Sequence, residues 1–161
     1  MVRHTFRYAL QQLGQLLAQY GIGPNDWVLV GPQAFRVRGY KIHYPRARHF
    51  HIMVHQTKVP WPITMPGNKP FEATVPIRSH FWRDYERYMK KTGFDFDIVV
   101  VAEPMERFLR HKADCLTLSH ETMWVAKPWA NSHLDRYIFT QPLTKKIHAA
   151  IAYVQSLCQH I

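Results

Sequence analysis

Residues 49–55 read HFHIMVH, and residues 94–101 read FDFDIVVV. In the first, Phe50, Ile52 and Val54 alternate with His49, His51, Met53 and His55. That is the two-residue period of a strand with one apolar and one histidine-rich face. The second is the clearest strand in the chain. It carries Asp95 and Asp97 at the same spacing. Side chains two apart on a strand point to the same face, so His49 with His51 and Asp95 with Asp97 are matched pairs. If the two strands are neighbours, two imidazoles and one or two carboxylates meet. Such a donor set suits zinc, manganese or iron better than magnesium, which prefers oxygen ligands. His49, His51 and Asp97 then form one catalytic and metal-binding set. If the strands lie apart, the histidines are ordinary polar residues on a half-buried strand.

The rest of the chain supplies what such strands need. Phe6, Ala9, Leu10, Leu13, Leu16, Leu17 and Tyr20 recur at helical spacing and stop at Gly21 and Gly23-Pro24. Trp27–Val30 is a short apolar run, as in a buried strand. Gly31-Pro32 breaks it, and Ala34, Phe35 and Val37 make a short helix ending at Gly39. Residues 59–70 are proline-rich and read as a loop. Their Trp61 is either a protein contact surface or a residue packed on the sheet. A strand is expected from Phe71 to Ile77, and a helix from Phe81 to Gly93. A further helix starts at Pro104, and Leu116–Leu118 is extended. Ser119, with Glu121 and Thr122 nearby, looks like a cap for a helix through Met123, Trp124 and Lys127. A last helix is expected from Pro142 to Cys158. The fold class is α/β (α+β), a mixed sheet with helices packed on it.

The 161 residues fit a single domain over 1–161, with 47% apolar and 14% aromatic residues to fill a core. Cys115 and Cys158 form no Cys-x-x-Cys pair, so neither a zinc knuckle nor a disulfide framework is expected. No run of 18 apolar residues and no signal-peptide core is present, so no membrane partner is expected and the location expected is cytoplasmic. Lysine and arginine total 21 against 11 acids, a formal charge of +10. Excess positive charge draws polyanions, which makes nucleic acid or nucleotide the first partner to consider.

Two stretches suit that partner. The turn Val30-Gly31-Pro32-Gln33-Ala34 aims backbone N–H groups at an anion, although Pro32 removes one donor. Residues 36–48 then place Arg36, Arg38, Lys41, Arg46 and Arg48 among Tyr40, His43 and Tyr44. Arginine pairs with phosphate, and aromatic rings stack on bases.

Taken in order, these pieces resemble the nucleotidyltransferase-fold superfamily of small polymerase-β-like domains. The resemblance rests on Trp27–Gly31, Ala34–Tyr40, Arg48–Val54, Gly93–Val100 and Leu118–Lys127. It implies that the strand at His49 and His51 occupies the family's Asp-x-Asp positions. It implies that Asp97 occupies the position of the third carboxylate. Lys127 corresponds to a lysine on a family helix that follows a short strand. Neutral imidazoles bind magnesium poorly, so the resemblance implies phosphate binding without ordinary two-magnesium catalysis, or residual transfer with manganese or zinc. His-hydrophobic-His also resembles the HUH endonucleases, which nick single-stranded DNA. That likeness implies a tyrosine nucleophile, Tyr88 of Tyr88-Met89-Lys90-Lys91, or Tyr153.

Overall fold

The computed structural model describes residues 2–39, 48–63, 70–118 and 121–130. Lys41, Arg46, Tyr153 and the expected helix at 142–158 lie outside these residues.

Six strands form one mixed sheet. They are β1 (Trp27–Val30), β2 (His49–His55), β3 (Phe71–Ala73), β4 (Asp95–Val101), β5 (Ala113–Leu118) and β6 (Glu121–Ala126), in the order β3-β4-β2-β1-β6-β5. Helices α1 (Val2–Gln19) and α3 (His80–Thr92) cover one face, where Leu13, Leu17, Phe81, Tyr85 and Tyr88 meet Phe50, Ile52, Phe96 and Ile98. Helix α4 (Met105–Lys112) covers the other, where Met105, Phe108 and Leu109 meet Val28, Val30, Met53, Val99 and Val101. Helix α2 (Pro32–Val37) follows β1 directly.

Strands β2 and β4 pair in parallel, with His49 opposite Asp95 and His51 opposite Asp97. Burial fixes this register. Phe50, Ile52, Val54, Phe96, Ile98 and Val100 all face the α1–α3 side and are 0–1% exposed. A one-residue slip of a strand turns its apolar set to the wrong face. For the three side chains of either strand the stake is at most about 5–9 kcal/mol, at roughly 1.5–3 kcal/mol each. Among the described residues, strand β3 pairs only with Ile98–Val100 of β4. Ahead of that, the Tyr85 hydroxyl donates to the Phe96 carbonyl at 3.1 Å and accepts its N–H at 3.3 Å. A side chain thus completes the backbone pairing where no described strand lies beside β4 on that edge. Helix α3 is capped by Ser79, whose hydroxyl accepts the Trp82 N–H at 3.1 Å, and it ends at Gly93, so β4 starts within two residues.

One expectation is overturned. Residues 121–126 form strand β6, where a helix was expected from Ser119. Leu118 opposes Glu121 in a tight antiparallel pair with β5, and Val125 lies beside Leu29 of β1. Thr122, Trp124 and Val125 are β-branched or aromatic and favour a strand. The part of the family likeness that read this segment as a lysine-bearing helix does not hold. The extended segment at 116–118 starts earlier, at Ala113, and the strand expected from Phe71 to Ile77 ends four residues sooner, at Ala73. Trp61 packs on the core, its ring 5.5 Å from Phe81, so the packed alternative applies. Among the described residues, no helix is long and apolar enough to cross a membrane.

Candidate metal centre

Four strand ends converge at one end of the sheet. Strand β1 is antiparallel to β2, with Val30 opposite His51, and β4 runs parallel to β2. The end of β1 therefore meets the starts of β2 and β4. Continuing the parallel register from Leu29 and Val125 brings Lys127 level with Gly31. By strand alternation His49, His51, Asp95 and Asp97 all face the α4 side, in line with Met53 and Val99.

His49 and His51 are 1% and 0% exposed, and their rings meet edge to face at 4.5 Å. His49 lies between two carboxylates. Its Nδ1 donates to Asp95 Oδ1 at 2.6 Å and its Nε2 to Asp97 Oδ2 at 3.0 Å. Donation from both nitrogens requires the imidazolium. Burial pulls the His49 pKa down, but hydrogen bonds and charge from Asp95 and Asp97 outweigh it, and the net shift is upward. His51 Nδ1 is 3.4 Å from Glu72 Oε1. Glu72 reaches this face because it opposes Val99 across the β3–β4 pair.

One ligand atom from each of His49, His51 and Asp97 lies within 4.8 Å of the others. Ligands at about 2.1 Å around a tetrahedral ion lie about 3.4 Å apart, so the widest pair of the triad would close by up to about 1.4 Å around one ion. Two imidazoles and one carboxylate fit zinc or manganese better than magnesium. The wider cluster has three carboxylates against two imidazoles. It stays negative even with both rings protonated, which favours a cation.

Gly31 closes the site from the β1 side. Its φ is 75°, and a Cβ there would lie 3.0 Å from His51 Cδ2 and 3.3 Å from its Cβ. The glycine lets the turn press against the buried ring.

The basic residues divide. Arg38 is turned inward. Its Nη2 bonds Asp114 Oδ2 at 2.8 Å and the carbonyls of Ala126 at 3.2 Å and Val125 at 3.4 Å, tying the end of α2 to β5 and β6. Arg36 lies 4.6 Å over the Phe6 ring, and burial lowers its pKa. Arg48 is exposed, and its carbonyl accepts the Asp95 N–H at 3.1 Å. The Lys127 N–H donates to Lys112 O at 2.8 Å. Arg48 and Lys127 thus stand at the same end of the sheet as the triad, whereas Arg36 and Arg38 are engaged with the fold.

Tyr88 is 4% exposed and belongs to the α1–α3 side, so the sheet separates it from the histidines. Its hydroxyl donates to the Ala9 carbonyl at 3.0 Å, and burial pushes its pKa well above the usual range. It has no route to a phosphate held at His49 and His51.

Sequence reasoning missed Glu72 and left Asp95 outside the final ligand set. Asp95 had a signal, its pairing with Asp97. Glu72 had a fainter one, as the lone acid between Asp26 and Asp84, standing between Phe71 and Ala73 on a short strand. No known family pattern matches the sequence, and neither the curated proteins nor the solved structures include a significant match to this chain.

Proposed function

We propose that this chain binds nucleotide or nucleic-acid phosphate at the His49–His51 end of its sheet, through a divalent transition ion. The framework is nucleotidyltransferase-like, with its Asp-x-Asp pair exchanged for His-x-His. The observation that carries this reading is the convergence of His49, His51 and Asp97 within 4.8 Å. Those are the three positions that the resemblance assigns to ligand carboxylates.

The electrostatics support a metal-dependent mode of binding. An acidic cluster repels phosphate until a cation offsets it. A bound divalent ion supplies Lewis-acid charge to a phosphate oxygen. Arg48 and Lys127 then contribute positive charge around the site, and the formal charge of +10 draws polyanions toward the protein. A cytoplasmic nucleic-acid-binding role fits this charge.

The test is fluorescence anisotropy with a labelled single-stranded oligonucleotide and, separately, a labelled nucleoside triphosphate. Both are titrated with manganese, zinc, magnesium or chelator present. Binding is expected with manganese or zinc and not after chelation. Its logarithm should fall with log salt by about 0.7 per phosphate contacted. Equal binding in chelator, or a flat salt dependence, overturns the reading.

Residual nucleotidyl transfer is the second reading. It is favoured by Asp97, which is 22% exposed beside the buried His49, so the ligand set opens toward solvent. Labelled triphosphates with manganese or zinc would reveal transfer to RNA or protein. Silence with both ions rejects this second reading.

A further inference from the structure

Two carboxylates outside the triad each touch one of its histidines, and each does so at Nδ1. Asp95 accepts from His49 Nδ1 at 2.6 Å, and Glu72 lies 3.4 Å from His51 Nδ1. They come from different strands, Asp95 from β4 and Glu72 from β3. We propose that Asp95 and Glu72 are positioning residues that reserve Nε2 of His49 and of His51 for the metal, and so set the site's preference for a zinc-class ion over magnesium. This inference rests on the metal reading above.

The chemistry follows from the imidazole ring. It has two nitrogens, and whichever gives its hydrogen to a carboxylate leaves the other to bind metal. A carboxylate partner also makes the ligating nitrogen more basic. In the metal-free protein His49 has a carboxylate on each nitrogen, Asp95 at 2.6 Å from Nδ1 and Asp97 at 3.0 Å from Nε2, so an ion would replace the Nε2 proton between His49 and Asp97 while Asp95 keeps Nδ1. For His51, the Gly31 turn restrains the ring. A Cβ placed on Gly31 would come within 3.0 Å of Cδ2, so the backbone lies close against one edge of the imidazole. Glu72 approaches the Nδ1 edge. Packing on one side and a carboxylate on the other hold the ring in one orientation.

The competing arrangement is one in which Asp95 and Glu72 bind the ion directly beside Asp97. Three carboxylates then provide an oxygen-rich site, and magnesium should bind well. The two arrangements predict opposite responses to removing one carboxylate charge. Loss of a positioning partner weakens zinc about 10- to 100-fold. Loss of a direct oxygen ligand weakens magnesium at least as much.

The experiment uses the full chain, stripped with chelator, with cobalt as the spectroscopic probe and zinc and magnesium as competitors. Wild type, Asp95→Asn and Glu72→Gln are titrated separately, each first checked for folding by far-ultraviolet circular dichroism. The expected result is a visible cobalt spectrum in wild type, displaced by zinc far more readily than by magnesium. Each variant should bind zinc about 10- to 100-fold more weakly, with a changed cobalt spectrum and a smaller zinc-to-magnesium ratio. Asp95→Glu should restore part of the affinity.

Unchanged zinc affinity and cobalt spectra in the folded variants overturn the positioning role while leaving the metal site standing. Wild-type preference for magnesium overturns it in favour of direct ligation. A wild type that binds neither cobalt nor zinc overturns the metal reading itself. Should Asp95→Asn fail to fold, Glu72→Gln on the edge strand β3 carries the test alone.

Discussion

Replacing Gly31 by alanine should cost far more stability than the same change at Gly21. The two glycines have nearly the same φ, 75° and 77°. A Cβ at Gly21 meets nothing within 4 Å, whereas one at Gly31 comes within 3.0 Å of His51 Cδ2. Gly31 also has a ψ of −163°, a combination essentially reserved for glycine, worth about 1–3 kcal/mol of strain in another residue. Overpacking against a buried ring adds about 1–3 kcal/mol. His51 is fully buried between strands and cannot swing aside, so both penalties apply. Gly31→Ala should therefore lose about 3 kcal/mol, and Gly21→Ala about 1 kcal/mol. Urea denaturation measures both, with unchanged m-values marking a change in stability alone. For a chain of this size, Gly31→Ala should melt roughly 6–12 °C below wild type. It should also weaken metal binding, because the ring it displaces is one of the three proposed ligands. Equal losses at Gly31 and Gly21, or a Gly31→Ala protein as stable as wild type, would refute the close approach of the β1 turn to His51.

The pH dependence of the metal-free protein has a definite sign. His49 titrates above its unfolded value of about 6.5, so its stabilisation is full below that pH and is lost as pH rises through the raised folded pKa. The urea-midpoint difference between chelated wild type and His49→Gln should hold steady below about pH 6.5 and shrink above it, and growth of that difference would contradict the His49–carboxylate geometry. Tyr88→Phe removes the buried bond to the Ala9 carbonyl and should cost about 1 kcal/mol with phosphate binding unchanged, since Tyr88 faces away from the site. A loss of phosphate binding in the folded variant would contradict that placement. Arg38→Ala breaks the tie to Asp114 and the β6 carbonyls and should destabilise by about 1–3 kcal/mol without altering the salt slope of binding. Arg48→Ala should do the reverse, leaving the melting temperature within a degree or two while weakening oligonucleotide binding and its salt dependence. An unchanged salt slope there would remove Arg48 from the phosphate interface.

Much of the site was legible because strand alternation is a short-range signal. His49-x-His51 and Asp95-x-Asp97 each announce one face of one strand, and their apolar partners leave no other register when the strands pair. Glu72 stayed hidden because β3 is only three residues long and its pairing with β4 is non-local. Strand β6 was misread for a related reason. Ser119, Glu121 and Thr122 imitate a helix cap locally, while what makes the segment a strand is its place between β1 and β5. The same limit applies to the arginines. Arg36 and Arg38 sit among aromatics in the sequence as nucleic-acid-binding residues do, yet the aromatic Arg36 meets is Phe6 of its own chain, and the anion Arg38 meets is Asp114. Tyr88 was decipherable from period alone, since Phe81, Tyr85 and Tyr88 follow the i, i+4, i+7 stripe of a helix face turned to the core.

The central claim, a transition-metal site through which phosphate binds, is tested most directly by equilibrium dialysis of chelator-stripped protein against manganese with and without a labelled nucleoside triphosphate. The account predicts one ion per chain in wild type, retention of the nucleotide only with the ion present, and loss of both in a folded His51→Ala variant. Nucleotide retained equally without the ion, or manganese retained equally by His51→Ala, would contradict it.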